Sequence, residues 1–535
     1  MPSPAPLTTH DAEGRRWLEN VRSRPPHDAL SFGKLGTTAH TLDFFASQAL
    51  VEQNSFRWRG QDTWPLPTFE TVRDLLPAPY WHGHDDAIAC WWWTWQTAFR
   101  NLRPPRSRRH IANYIDTAFN DCLFLWDSVF ILQFARYGAR AFPFQRTLDN
   151  LYATQLDDGF ITRELRADGT FQFHPHDPPS TGPNVLAWSE WSYFRTTGDR
   201  DRLACVFPVI LAYHRWLRFN RSWPDGSYHS CGLACGMDNM NRLPPGYEVH
   251  VHHGHLSWID ATAQAALSAD RLLRMAGALG REAEVTAERE EHARLSTWVR
   301  TRAWHEQVGF CSDVDRDGRA TGVKQVGGYW ALLAGLLDAP RAARMAAHLT
   351  DPASFARPHQ VPSLAADQPG YSAHGRYWNG SVWPPTTWMV LKGLEQQGFD
   401  DLAHDIAVNH HEMVLKVWRE TGTVWENYAP ESAAPGKPAK ADFVGWSGLA
   451  PIAVLLEHRF GLRPAVPTRT LVWDVRPTEA FGVERYPFGE ALIDLHCAAR
   501  SAPSEKPRIT VRSSHALTIE LRWQGGSERV EIGPA

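Results

Sequence analysis

The sequence predicts a mainly α fold: an (α/α)6 toroid of six helical hairpins, preceded by an irregular arm and followed by a small antiparallel β unit. Three observations predict it. From about residue 85 to 462, apolar residues recur at spacings of three and four. Long segments rich in Gly, Pro, Trp, Asp and His separate these stretches. Beyond 463 the period changes to two. Roughly 380 residues at about 30 per helix and loop make about twelve helices. A solenoid would repeat at constant length, and no such repeat occurs.

The elements follow in chain order. Residues 1–84 are punctuated by Pro2, Pro4, Pro6, Pro25, Pro26, Pro65, Pro67, Pro77 and Pro79. They are read as an N-terminal arm with one or two short helices, packed on the barrel. Residues 85–462 are the barrel domain. Its helix faces include Ala87, Ile88, Trp91, Trp92 and Trp95; Leu203 through Leu217; Ala261 through Leu273; Trp330, Leu333, Leu336 and Leu337; Trp388 through Leu394; and Leu449 to Leu456. The run from Glu288 to Glu291 is read as a solvated helix face. Residues 463–535 hold alternating segments at 470–475, 491–495, 508–511, 517–523 and 529–532, a small β-sandwich-like domain.

Composition narrows the function. The chain has 535 residues, of which 25 are Trp and 25 Phe, with 43% apolar and 21% charged side chains. That content supports a large core and excludes disorder over most of the chain. The net charge is −4, from 55 basic and 59 acidic residues, so electrostatics gives no reason to expect nucleic acid or anionic membrane as a partner. The first residues lack the apolar stretch of a signal peptide, no run of 18 apolar residues occurs, and seven cysteines are scattered singly. The expectation is a cytoplasmic protein without a disulfide framework. Cys231 and Cys235 form C-x3-C without a second pair, which is not a zinc framework.

The chemistry sits in two loops. One runs from Cys231 to Arg242 and contains Gly-Met-Asp238-Asn239. The other runs from Gly422 to Glu431 and contains Trp-Glu426-Asn-Tyr428. Two carboxylates facing a sugar across a water-sized gap are what inverting glycoside hydrolysis requires: one protonates the leaving oxygen, the other deprotonates water on the opposite face. Taken alone, each carboxylate is also compatible with an ordinary loop turn or cap. Trp126 and Asp127 offer a stacking face and a hydroxyl acceptor, or equally a buried Trp and a helix cap. The run His250–His255 carries four imidazoles in six residues, which either bind a metal or bond substrate and water. Asp313–Gly318 begins like a calcium loop but has Lys324 where the ligating Glu belongs, so a β-turn is expected.

Five motifs occur in order: Trp126-Asp-Ser-Val-Phe130, Gly236-Met-Asp-Asn239, Tyr377-Trp-Asn-Gly-Ser-Val-Trp-Pro-Pro385, Trp425-Glu-Asn-Tyr428 and Phe443-Val-Gly-Trp-Ser-Gly448. Together they resemble glycoside hydrolase family 63 and its bacterial relatives, among them processing α-glucosidases and mannosylglycerate and glucosylglycerate hydrolases. Trehalases are more distant. The resemblance covers about 85–462. It implies an (α/α)6 barrel, inversion at the anomeric carbon, Asp238 as general acid and Glu426 as general base, with no cofactor and no metal. It adds Trp126, Asp127, Gln155, Trp188, Asn239, Arg242, Trp378, Asn379, Trp383, Tyr428 and Trp446 as expected substrate contacts. Asn379 stands where that family often has Arg. A short amide cannot grip a carboxylate as a guanidinium does, although Arg376 lies three residues earlier.

The resulting expectation is an inverting exo-acting hydrolase that releases a monosaccharide, glucose first, from an α-linked oligosaccharide or small glycoside. The alternatives are a polysaccharide lyase or sugar epimerase on the same toroid, or a non-catalytic sugar-binding protein. A lyase needs a Tyr or His base and cations to neutralise a uronate, and a binding protein has no need of both carboxylates.

Overall fold

The computed structural model describes residues 48–534. The portion of the expected arm at 1–47 lies outside the described residues. Helical segments follow one another around a ring: α2 (Leu125–Ala135), α4 (Leu186–Thr197), α6 (Ile259–Leu279), α8 (Trp330–Leu333), α10 (Pro384–Gln396) and, reached from α10 through the turn that precedes it, α12 (Ala450–Arg459). The short 3-10 turn Trp446–Leu449 leads into α12 and completes closure against α2. Between them in sequence come α1 (Asp85–Arg100), α3 (Thr147–Tyr152), α5 (Arg200–Arg221), α7 (Thr286–Trp298), α9 (Ala339–Ala347) and α11 (Asp400–Thr421). Of these, α5 packs on α4 and α6, and α11 packs on α10 and α12. The architecture is a mainly α toroid.

Burial explains which helices form the ring. Every residue of α2 is buried, as expected of a helix that is apolar on all sides. Helix α1 instead buries Trp91 and Trp95 and leaves its other side accessible. Two ring segments depart from the sequence reading. The helix expected through Leu337 ends at Leu333, because Gly335 takes a left-handed turn at φ 68°. The last ring segment is wound as a π-helix with Pro451 in its first turn.

The run Glu288–Glu291 is not a solvated face, which corrects the sequence reading. Glu288 and Glu291 are both fully buried. Arg215 donates to Glu288 at 2.9 Å, and His214 Nε2 meets Glu291 at 2.7 Å. Only the intervening Arg289 and Glu290 face outward, as helical periodicity requires of two positions flanked by an i, i+3 pair.

The C-terminal unit has two four-stranded sheets. With β1 (Ala78–Trp81), β2 (Leu462–Ala465), β3 (Thr470–Asp474), β4 (Phe481–Phe488), β5 (Ala491–Cys497), β6 (Ile509–Ser513), β7 (Leu517–Trp523) and β8 (Gly526–Ile532), the orders are β1-β4-β5-β6 and β8-β7-β3-β2. Two findings differ from expectation. Strand β1 comes from the segment before the barrel and pairs with β4, Ala78 opposite Glu484. The second sheet is mixed, since β7 lies parallel to β3, with Ile519 opposite Leu471. The chain leaves β3 for the other sheet and re-enters beside it running the same way. Among the described residues no helix is long and apolar enough to cross a membrane.

Candidate active site

The expected site residues lie at or before the N-terminal ends of ring helices. Trp126 and Asp127 are in the first turn of α2 and are buried. Asp238 lies within the long loop that precedes α6. Its backbone folds back on itself: a Cβ at Gly232 would stand 2.1 Å from the Asp238 carbonyl oxygen. One at Gly236, whose φ is 80°, would stand 2.8 Å from the Trp126 indole. Glycine at 236 therefore lets the Cys231–Arg242 loop lie flat on Trp126.

Glu426 is held from several directions. Its Oε1 accepts from the Tyr377 hydroxyl at 3.2 Å and its Oε2 from the Lys440 amide at 3.3 Å. Its own amide donates to the Lys440 carbonyl at 2.9 Å, and Trp446 Nε1 donates to its carbonyl at 2.9 Å. Tyr428 pairs with Val382 through the backbone, while its hydroxyl accepts from the Trp425 amide at 3.1 Å.

Three carboxyl groups share this region electrostatically. Burial pushes Asp127 well above its ordinary range, and Asp238 and then Glu426 push it further. Burial also raises Asp238, against the pull of Arg163, His250 and Lys440. Glu426 is raised by burial and by Asp238, while Lys440 and the Tyr377 hydroxyl act the other way. The Tyr377 phenol is pushed up by burial and then by Glu426, Asp238 and Asp127, so all three carboxyls lie within its range. Buried carboxyls that repel one another do not all ionise together.

Asn239 and Asn379 form a reciprocal latch. Asn239 Oδ1 accepts from the Trp378 amide at 2.9 Å, and its Nδ2 donates to the Arg376 carbonyl at 3.3 Å. Asn379 Nδ2 donates to the Asn239 carbonyl at 2.9 Å, and its Oδ1 accepts from the Asn241 amide at 2.8 Å. Arg376 and Tyr377 both have left-handed backbone, at φ 40° and 63°, a strained conformation that aims Tyr377 at Glu426. These two side chains, expected to touch sugar, stitch the Cys231–Arg242 loop to the loop carrying Tyr377.

Several other expected contacts have protein partners in the structure. Arg242 is enclosed: it donates to Asp260 at 2.7 Å and Asp313 at 2.8 Å, with its guanidinium 3.9 Å over the Trp258 ring. It anchors the Cys231–Arg242 loop to Asp260 of α6 and to Asp313. Gln155 accepts from Asn54 at 2.9 Å and donates to Gly159 and Val209 carbonyls, so its amide is fully occupied by main chain and Asn54. Tyr428 is completely buried and supports the Trp425 backbone. Trp378 and Trp383 stack on each other at 3.9 Å, both nearly inaccessible, and form a backing layer. Trp446 meets Trp383 edge-on at 5.8 Å and holds the Glu426 carbonyl. Trp188 packs edge-on against Phe130 and Trp330, below Trp126.

Tyr377, Arg163 and Lys440 were not expected. Tyr377 opens a recognised motif, so a signal was there. Arg163 donates to the Leu233 carbonyl at 3.1 Å and lies on a featureless stretch, as does Lys440. Among the polar atoms buried here with no hydrogen-bond partner among the described residues are Asp127 Oδ1 and Trp126 Nε1. A sugar hydroxyl is the kind of group that satisfies both. In the 250–255 run, His250 bonds Glu248 at 2.5 Å, and His252 stacks on Tyr247. Among the described residues no group of three or more His, Cys, Asp or Glu side chains is arranged to hold a metal ion.

Known proteins resemble this arrangement. Residues 122–447 match the family model of the mannosylglycerate hydrolase MGH1-like glycoside hydrolase domain. A mannosylglycerate hydrolase from Thermus thermophilus is 34% identical over 299 residues, 45% of this chain and 69% of that protein. A probable mannosyl-oligosaccharide glucosidase from Schizosaccharomyces pombe is 24% identical over 286 residues, 46% of this chain but only 33% of that longer protein. A solved family 63 mannosylglycerate hydrolase from a second Thermus thermophilus strain, in complex with glucose, superposes with a TM-score of 0.55 at 21% identity, covering 67% of this chain and 98% of that one. That likeness concerns the fold. With the family model spanning more than half of its length, the chain belongs to the MGH1-like glycoside hydrolases of the family 63 type.

Proposed function

We propose that the chain is an inverting, exo-acting hydrolase that releases a monosaccharide, with glucose the first expectation, from an α-linked oligosaccharide or small glycoside. Asp238 is its general acid and Glu426 its general base. In this reading the toroid is a six-hairpin (α/α)6 barrel, and the enzyme works in the cytoplasm.

One observation carries the assignment of roles. Glu426 accepts from two donors, the Tyr377 hydroxyl and the Lys440 amide, whereas Asp238 accepts from no other residue among those described. Donors stabilise a carboxylate, so Glu426 is the group kept ionised to take a proton from water. Asp238, raised by burial and without such donors, is the group kept protonated for the glycosidic oxygen. Inversion requires a separation of about 6.5–9.5 Å between the two carboxyls, room for the attacking water. Asp127 Oδ1 and Trp126 Nε1 hold sugar hydroxyls, and the Trp126 face, over which Gly236 passes, borders the ring.

A second reading of the aglycone is favoured by Arg376. Its side chain is exposed beside Tyr377 and has no ion pair among the described residues. That suits a carboxylate-bearing aglycone such as glycerate, which the names of two relatives also suggest.

The test is a screen of α-linked disaccharides and glycosyl-glycerates, with the first-formed anomer followed by NMR. Release of the β anomer from an α substrate supports the proposal. Retention, or formation of an unsaturated ultraviolet-absorbing end, overturns it.

A further inference from the structure

The mouth of the toroid opposite the carboxylates encloses a cavity of about 330 Å3. Its lining comes mostly from the C-terminal ends of ring helices, with Trp188 and Trp191 from the first half of α4, and, as a lid, from β2, β3 and β7 of the C-terminal unit. This lies within the range of about 300–1,000 Å3 usual for small-ligand sites. The lining is strongly cationic. Helices contribute Arg136, Arg195, Arg271, Arg274 and Lys392, and the β unit adds Arg463 and Arg522. Only two carboxylates, Glu395 and Glu457, face them.

Ion pairing accounts for some of these cations and leaves others. Glu457 is shared by Arg136 at 2.6 Å and Lys392 at 2.6 Å. Glu395 is shared by Lys392 at 2.9 Å and Arg463 at 3.4 Å. Arg271 and Arg274 both lean on a single carboxylate outside the lining, Asp270. Arg271 Nε is buried without a partner, and the residue is 7% exposed. Arg195, near the end of α4, has no hydrogen bond or ion pair among the described residues; Glu457 and Glu395 reach it only at longer range. Burial pushes the Arg271 guanidinium down to about 10, the direction of a cation short of counter-charge, whereas Arg195 stands exposed on the cavity wall.

The simplest structural alternative is that these cations neutralise the negative ends of the ring helices. In that case their guanidiniums would sit on terminal carbonyls. Among the described residues none of the seven donates to a main-chain carbonyl; those that bond do so to side chains. A pocket with spare forked donors and a compact ammonium is suited to tetrahedral oxyanions. Arg195, Arg274 and Arg522 are exposed and mark the way in.

We infer that this cavity is a binding site for a small multivalent oxyanion of the phosphate or diphosphate type, separate from the glycosidase site, with Arg195 and Arg271 as its principal ligands. The chemistry is shared by free phosphate and by a phosphorylated metabolite. The experiment therefore has three arms: inorganic phosphate, diphosphate and a hexose 6-phosphate. Each is titrated into the full chain by calorimetry and by thermal melting, at constant ionic strength set with sodium chloride. The inference expects saturable binding with a rise in Tm at about 1 mM diphosphate. It expects affinity to fall about tenfold or more in Arg195→Met. Glucose should not displace the anion, and hydrolysis by the variant should stay within about twofold. If Arg195→Met fails to fold, Arg522→Met on the exposed lid serves in its place. The ranking of the three probes identifies the source. No saturable binding above the salt control, unchanged affinity in the variant that folds, or displacement by glucose each overturns the inference.

Discussion

The acid loop and the base loop reach the same mouth of the toroid but are secured in opposite ways. Around Glu426 the carboxylate itself is wired: Tyr377 and Lys440 hold its oxygens, and Trp446 holds its carbonyl. Around Asp238 the backbone is wired and the carboxyl is left to itself. Asn239 and Asn379 fasten the chain on one side, and Arg242 fastens it to Asp260 and Asp313 on the other. A base benefits from donors that keep it ionised. An acid benefits from an address fixed without donors that would strip its proton. The difference teaches that preorganisation can be delivered through main chain where side-chain contacts would spoil the protonation state.

If that contrast is correct, substitutions on the two loops should fail differently. Glu426→Ala should have the largest effect, lowering kcat about a thousandfold or more on every substrate, because no leaving group relieves the need to activate water. Steady-state kinetics on a natural α-glycoside and on a glycosyl fluoride would check this. Recovery on the fluoride alone would assign Glu426 the acid role and reverse the comparison. Asp238→Asn should follow, losing about a hundredfold to ten-thousandfold on poor leaving groups and far less on the fluoride.

Tyr377→Phe separates wiring of the carboxylate from wiring of the backbone. It removes one donor to Glu426 and leaves the fold's hydrogen-bonded loops in place. The Glu426 carboxyl, already raised by burial, should rise further. A base must be ionised to act, so activity on the acid side should be lost at a higher pH than in the parent. The acidic limb of kcat/KM against pH reads this directly. An unchanged limb with lower kcat would mean that Tyr377 acts otherwise. Asn379→Ala should instead leave the limb where it is. Two hydrogen bonds to the acid loop are lost, each worth about 0.5–1.5 kcal/mol, and kcat should fall about tenfold as Asp238 loses its address. Faster amide exchange over 236–241 would accompany it.

The same contrast explains what was legible in the sequence. The helix faces announced themselves by period, and both carboxylates stood in short motifs, because local spacing is a property of one segment. Ring closure, by contrast, depends on contacts between helices far apart in the chain. The Asn239–Asn379 latch pairs residues 140 positions apart, and neither segment alone shows that its amide is consumed by main chain. The protein partners of Gln155 and Tyr428 were hidden for the same reason: a polar side chain in a motif looks identical whether it meets a sugar or a carbonyl. Glu288 and Glu291 read as surface because their partners, Arg215 and His214, lie on α5 some 70 residues earlier. Strand β1 was hidden because its neighbour, β4, is about 400 residues away.

The smallest effect on turnover should come from carboxylates of the opposite electrostatic kind. Burial alone would raise Glu291, but the His214 imidazole, Arg218 and the Tyr228 hydroxyl outweigh it and hold Glu291 down to about 2. The carboxyls of the active-site mouth are raised, whereas this one, between α5 and α7, is lowered. A depressed folded-state value means that the charged form stabilises the fold. That stabilisation is fully present above the ordinary carboxylate range and is lost as pH falls from about 4.5 towards about 2. Glu291→Gln should therefore leave kcat at neutral pH nearly unchanged, since the group lies on the outer layer. It should cost stability on the order of 3–5 kcal/mol at neutral pH, because His214 and Arg218 lose their buried partner. The decline of Tm between about pH 4.5 and 2 should also become shallower than in the parent. Thermal melts across that window measure both. A parallel decline in the two proteins would show that acid sensitivity arises elsewhere, and the division between raised catalytic and lowered structural carboxyls would then lose its thermodynamic support.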